Sequence, residues 1–220
     1  TDALARDTFA RIAHGAWVSL TVAVVSVMFG IVVGGFLGTL VGFVRGRTET
    51  MIMSVIDVIL AFPALVLLLA LVAMLEVRDL FVISGVIGFL SIPAYTRVAR
   101  ANSLAISNRE FVLAARSIGT KQRKILFREI FPNVLPTLVA YAMVASAFVI
   151  VVEGALSFLG LSVQLPTSTW GNMINQSRRD IKLDVWQVLW PSLALTLTVL
   201  SLNQVGDFFQ KRNAIRASSL

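Results

Sequence analysis

The chain has 220 residues, of which 57% are hydrophobic and only 14% charged, with a net charge of +7. That balance is too apolar for an ordinary water-soluble domain. The basic residues sit between apolar runs without interleaved aromatics, which argues against a nucleic-acid stripe and for membrane orientation, and the absence of cysteine excludes thiol catalysis, disulfides and Cys-ligated metal.

Residues 1–15 (TDALARDTFARIAHG) are polar but place Leu4, Phe9 and Ile12 at near-helical spacing. This predicts an extracytoplasmic interfacial helix with its acids and arginines in water. His14, the one histidine, reads as an interface residue rather than a ligand. Ala16 to Val44 carries no charge and predicts a membrane helix. Its Gly30, Gly34, Gly35, Gly38 and Gly42 include small-xxx-small spacings suited to close packing in lipid, and Arg45 and Arg47 stop it. A second span is expected from Thr50 to Leu75, with Asp57 inside it and Pro63 kinking rather than ending it. The third, Leu80 to Thr96, is short and bent by Pro93. The fourth runs from about Asn133 to Leu161, with Glu153 as its one charge, and the fifth from Val185 to Gly206. The fold class that follows is an all-α integral membrane protein with five transmembrane helices: a core over 16–209, a polar outer loop over 162–184 and a tail over 210–220.

Between the third and fourth spans lies SNREFVLAARSIGTKQRKILFREIFPNVLP, Ser107 to Pro136. Ser107 and Glu110 have the S-x-x-E spacing of a capping box, which predicts a helix start. Ala114 and Ala115 offer a small-residue surface, and Gly119 supplies the left-handed residue that ends a helix. Thr120 is placed to cap a second helix, amphipathic and basic through Lys121, Arg123, Lys124 and Arg128. Pro132 and Pro136 punctuate the return to apolar sequence. A helix, a sharp turn and a basic helix form a unit that another protein can grip; the alternative is a basic loop resting on lipid headgroups. Charge sets the sides: thirteen of the nineteen Lys and Arg fall in the connections that include this loop and the tail. That side is therefore cytoplasmic, with the N-terminus of the chain outside and its C-terminus inside.

No phosphate loop, H-E-x-x-H or G-x-S-x-G occurs. The chain is expected not to be an enzyme, to bind no metal or cofactor itself, and not to be an ATPase. Three acids, Asp57, Glu153 and Asp207, lie in or near the spans, where ionisable groups usually face a bundle interior or a water-filled path. Glu153 is the better candidate for lining a translocation path or bracing a gate, with an interhelical hydrogen bond as the alternative. For Asp57, snorkelling or pairing with an arginine is the competing account.

Ala114, Ala115 and Gly119, with Pro132 thirteen residues after the glycine, resemble the EAA loop of ABC-importer permeases. The glutamate that precedes the two alanines in that motif is Leu113 here, with an acid at Glu110 instead. Residues 1–15 resemble the TDxLGRDxxSRxxxG segment of the peptide-type branch, with Ala5 and Ala10 replacing Gly and Ser. Ser157 to Leu161, Gln164, Pro166 and Trp170–Gly171–Asn172–Met173 resemble its SFLGLGxQxPxPSWG stretch, with Ser162 for Gly and Thr169 for Ser. Asp57 to Pro63 (DVILAFP) is a further match. The likeness runs from Thr1 to about Lys211 and is to the C-type subunit of a dipeptide, oligopeptide or nickel importer.

This resemblance implies the type I importer permease fold with a cytoplasmic coupling helix between helices 3 and 4. It implies a peptide permease of the bacterial inner membrane, driven by ATP and Mg2+ held in two partner ATPases. A homologous second permease and an extracytoplasmic binding protein complete the assembly. Coupling to the ATPases falls to the 107–132 loop through Glu110, Ala114, Ala115, Gly119, Lys121 and Pro132. Pro166, Trp170, Gly171 and Asn172 become an outer lid or docking surface, for which the alternative is a loop with structural turns only. Trp170 and Trp186 suit an outer aromatic belt, and Pro166 and Gly171 suit turns. Members of the family carry one more helix before the segment matching Thr1, so a trimmed N-terminus is expected. Nickel or another small solute is the alternative cargo. A proton-coupled carrier, which needs an inverted repeat not seen here, and a membrane assembly protein are the rivals.

Overall fold

The computed structural model describes residues 6–75, 78–164, 166–178 and 181–218, the stretch 212–218 as backbone only. Leu4 and Ala5 of the first matched segment lie outside these, as do Arg179 and the last two residues of the tail. Helix α1 (Thr8–Phe29) passes through a π-helical turn, 30–35, into α2 (Phe36–Val44). Together they form one 37-residue rod, so the predicted interfacial helix is the first turns of the first span. Asp7 starts it, accepting hydrogen bonds from the backbone N–H of Phe9 and Ala10.

The return passage is α3 (Arg47–Ala61) and α4 (Ala64–Ala73), bent by 85° at their junction. Pro63 therefore ends a helix instead of kinking one. Phe62 adopts an extended backbone, as expected of a residue before proline, and α4 restarts immediately after the ring. Helix α5 (Leu80–Ser107) is much longer than the expected third span and contains Pro93 in its interior. Ser107 is its last residue and donates to the Ser103 carbonyl, so Ser107 caps no helix, although one does start at Glu110 with Arg109 at the N-cap.

A short helix, α6 (Glu110–Ser117), follows. Then α7 (Gln122–Ile125), a π-helical turn over 126–130 and α8 (Phe131–Phe158) run on as a second 37-residue rod. Thr120 caps nothing, because Lys121 holds the N-cap position. Pro132 and Pro136 do not interrupt the rod: Pro132 sits in the first turn of α8, next to the π turn, and Pro136 lies inside the helix. Helix α9 (Trp170–Ser177) lies in the outer loop, and α10 (Trp186–Ser218) continues well past the predicted fifth span. Among the described residues four helices are long and apolar enough to cross a bilayer, five if the bent α3–α4 pair counts as one span.

The centre of the bundle is a seam between α1–α2 and α5, which run parallel. Ser26 donates to the carbonyl of Ser84, 58 residues on. The same offset then recurs one turn at a time. Gly34 lies against the Ile92 carbonyl, Gly38 against that of Thr96, and Gly42 against that of Arg100. A Cβ at Gly42 would sit 2.7 Å from that oxygen, well inside contact distance. Gly35, turned to the other side, faces Leu138 of α8. Ser103 closes the seam by donating to Thr39 O.

Two ion pairs hold α3 to α5: Arg97 to Asp57 at 2.6 Å and Arg100 to Glu49 at 2.6 Å. Helix α10 is largely exposed along its membrane length, as are most large side chains of α3 and α4.

The seam yields a test. Gly38→Ala is expected to lose about 1–3 kcal/mol through overpacking, seen as a lower unfolding midpoint in detergent. Gly85→Ala, where nothing lies within 4 Å of the added methyl, is expected to be neutral or slightly stabilising.

Candidate functional site

Two polar regions lie at opposite ends of the rods. At the first, α6 hangs below α2 and α5. Val112 is fully buried and anchors it, Arg45 of the preceding turn donates to Asn108 at 3.0 Å, and the Arg116 guanidinium lies 5.4 Å over the Phe43 ring. The helix ends in a complete Schellman motif. Gly119, at φ +76°, donates to Arg116 O at 3.0 Å, and Thr120 donates to Ala115 O at 3.1 Å. Nothing lies within 4 Å of a Cβ placed on Gly119, so it is the backbone conformation, not space, that selects glycine there.

The outward surface of this unit is apolar as well as basic. Phe111, Leu113 and Ile118 are exposed, Ile118 at 82%. Ala114, Gly119, Lys121 and Glu110 are exposed beside them, Ala115 is half-buried, and Pro132 is exposed on the rod behind. Ala114, Ala115, Gly119 and Lys121 thus share one exposed corner, while Pro132 stands apart on the next helix. Leu113, which replaces the acid of the motif, gives this corner apolar area where a carboxylate is expected.

At the other end, the 162–184 loop is bolted to α1 and α8. Glu153 is 1% exposed. Its Oε2 accepts from Ser19 Oγ of α1 and its Oε1 from Ser162 Oγ of the loop, both at 3.0 Å. One carboxyl group thereby joins three segments of chain. Beside it Ser157 and Thr169 share a hydrogen bond. Thr169 also forms the capping box of α9 with Asn172: Asn172 N–H donates to Thr169 Oγ1 and Thr169 N–H to Asn172 Oδ1. Trp170, 2% exposed, is a core residue and not part of an aromatic belt. Its indole N–H donates to Ile12 O at 3.1 Å, and its ring meets Gly15. Trp186, by contrast, is exposed and stacks on Trp190.

Gly171 makes no turn either. It lies within α9, where a Cβ would come 2.7 Å from Ser157 Cβ and 2.9 Å from Gly154 Cα, so α9 crosses α8 at two glycines. Pro166 does occupy a turn and is exposed, whereas Trp170, Gly171 and Asn172 are packed inside. Arg6 and Arg11 leave water for the loop as well, both donating to Gln176 Oε1 at 3.1 Å, and Arg11 also to Ser168. Asp57 is placed far from Glu153, half-exposed in its pair with Arg97. Sequence reasoning missed Ser19 altogether, and it placed Ser157, Ser162 and Thr169 in the matched stretch without seeing their bonds. The signal available was small hydroxyls at otherwise apolar positions, which in lipid mark interhelical hydrogen bonds.

Residues 30–218 match the family of binding-protein-dependent transport system inner membrane components. The chain belongs to that family. Among curated members of this permease family, the glutathione transport system permease protein GsiD of Pectobacterium atrosepticum is 38% identical over 206 residues, 94% of this chain and 68% of the relative. GsiD of Escherichia coli is 39% identical over the same shares. The di/tripeptide transport system permease protein DppC of Pseudomonas aeruginosa is 37% identical over 207 residues, again 94% and 68%. The fold agrees with solved permease structures. An inward-facing MetNI methionine ABC transporter superposes with a TM-score of 0.72 at 16% identity, over 93% of this chain and 97% of that one. An amino acid ABC transporter gives 0.64 at 16% identity, over 93% and 94%. The chain is thus an ABC-importer permease, a multi-pass inner-membrane protein with four to five apolar helical passages among the described residues. Its family is one of transport permeases, not enzymes.

The Glu153 junction can be tested. Removing the carboxyl in Glu153→Ala leaves the Ser19 and Ser162 hydroxyls buried without an acceptor, at a cost of about 1–3 kcal/mol. The expected result is less folded permease and a lower unfolding midpoint. Glu153→Gln, which keeps an acceptor and the side-chain shape, is expected to recover most of the loss.

Proposed function

We propose that this permease carries short peptides inward across the cytoplasmic membrane, driven by ATP hydrolysis in partner subunits. The observation that carries the reading is the relationship, over 94% of this chain and 68% of each relative, to permeases named for glutathione and for di- and tripeptides. The assembly contains two ATPases that hold ATP and Mg2+, a homologous second permease and an extracytoplasmic binding protein. The first fifteen residues and the 162–184 loop face outward, and the 107–132 loop and the 210–220 tail face the cytoplasm. The thirteen-to-six division of basic residues supports that orientation.

Coupling runs through the 107–132 loop. Its exposed apolar corner at Phe111, Leu113 and Ile118, flanked by Ala114, Ala115, Gly119 and Lys121, suits a groove on an ATPase. Glu110 lies in the first turn of α6, where a carboxylate complements the helix dipole. Pro132 begins the rod that carries motion back into the membrane. At the outer end Glu153 braces the gate instead of lining it, since its carboxyl is enclosed by Ser19 and Ser162. Asp57 serves the gate by tying the bent α3–α4 passage to Arg97 of α5. Pro166 is the loop's contact with the binding protein, and Trp170, Gly171 and Asn172 hold that loop in shape from beneath. Substrate-bound binding protein and ATP bias the same inward–outward equilibrium.

Two experiments test this. A reporter enzyme active only outside the cytoplasm is expected to work when fused after Gln176 and to fail after Lys121; the reverse pattern would overturn the orientation. In a reconstituted importer, Gly119→Val is expected to abolish ATPase attachment or the link between hydrolysis and peptide uptake. Its left-handed backbone costs a residue with a Cβ roughly 1 kcal/mol or more. Membrane insertion and pairing with the second permease are expected to survive. Lys124→Ala, which removes an exposed charge and leaves the turn intact, is expected to act much more weakly. Wild-type coupling in Gly119→Val with the ATPases still bound would show that this loop is not the coupling element.

A further inference from the structure

A cavity of about 380 Å³ opens between the end of α8, the outer loop and α9. Its size falls in the range of small-molecule sites. No charged side chain lines it; most of its wall is apolar, Gly160 and Val163 included, and Ser157, Ser162, Gln164, Asn172, Asn175 and Gln176 supply its amides and hydroxyls. Most of these groups are already engaged in holding the loop. Ser162 donates to Glu153, Ser157 bonds Thr169, Asn172 bonds Thr169 and Thr167, and Gln176 Oε1 accepts from Arg6 and Arg11. The side-chain amides of Gln164 and Asn175 have no hydrogen-bond partner among the described residues. One stands on the loop and the other on α9, so the cavity wall has two unspent amides on separate segments.

A primary amide offers an acceptor oxygen and two N–H donors, the complement of a peptide unit's own N–H and C=O. A lining of neutral donors and acceptors reads main chain without demanding any one side chain. It also avoids the tight, desolvated ion pair that would hold a passenger in place. The loop framing the cavity is locked beneath by Glu153 and Trp170, so the segments that carry these amides are already in place before a ligand arrives.

We propose that this cavity is a transit site for the main chain of a short peptide, held by the Gln164 and Asn175 amides. The proposal rests on the peptide-import reading above. Because the chain contains no cysteine, a single introduced thiol reports on its own position. In the complete importer in proteoliposomes, without binding protein, Asn175→Cys and Gln164→Cys are each modified with a small methanethiosulfonate reagent. The rate is read from the mass of this subunit, with and without trialanine. Trialanine at a few times its Kd is expected to slow modification at both positions by about threefold or more. Leu183→Cys, 88% exposed in the native chain and outside the cavity, is expected to react at an unchanged rate.

Unchanged rates at both cavity positions, or equal protection by glycerol at the same concentration, would overturn the proposal. Uptake separates this failure from that of the underlying reading. A wild-type importer that takes up trialanine with neither cavity thiol protected sinks the transit site and leaves peptide import standing. One that, supplied with its binding protein, takes up neither trialanine nor glutathione sinks the import reading, and the transit site with it.

Discussion

The close contact of α1–α2 with α5 is the constraint on which the rest of the molecule depends. In hydrocarbon there is little hydrophobic gain from bringing two helices together, so association rests on close van der Waals packing and polar contacts. Here glycines on one helix meet carbonyl oxygens on the other at a constant offset of 58 residues, from Ser26–Ser84 through Gly42–Arg100. A one-residue slip would drive side chains into backbone at every turn, so the register has no near alternative. Consecutive glycines within the π turn at 30–35 serve two neighbours, Gly34 facing α5 and Gly35 facing α8.

The outer end is organised by a different economy. Hydroxyls and a carboxyl buried away from water are costly unless bonded, and here the bonds link segments distant in sequence. Glu153 joins α1, α8 and the loop, while Trp170 and the Thr169–Asn172 box fix α9 against the same helices. The loop is therefore firmly structured, with few internal options. Most of its polar groups are spent on holding it against α1 and α8.

Much of this was legible in the sequence. The apolar runs located the passages, and the glycine spacing announced a tight seam. The left-handed turn at Gly119 could be read from glycine between two helical patterns. Other features were not legible, for physical reasons. A proline can end a helix, sit in its first turn or ride inside it, depending on what surrounds the freed carbonyls. Pro63, Pro132 and Pro93 illustrate these outcomes in turn. The Ser107–Glu110 spacing satisfied the capping pattern, yet tertiary packing carried α5 through Ser107, and the capping box that does form uses Asn172. Trp170 looked interfacial because an indole suits that layer, but a backbone carbonyl at Ile12 satisfies its N–H inside the protein. The partners of Glu153 lie 134 and 9 residues away, and spacing says nothing about the first.

Helix α5 begins beside the outer loop and does not stop until the residue before the turn into α6. Its 28 residues correspond to a rod of about 42 Å, longer than the roughly 30 Å of a bilayer's hydrocarbon layer. Such a rod behaves as a lever. Tilting it by about 5° around its middle displaces each end by about 2 Å, in opposite directions. Since the seam makes α1–α2 travel with it, any displacement at the α6 end reaches the other end of the bundle as a sideways step beneath the 162–184 loop, with no intermediate relay.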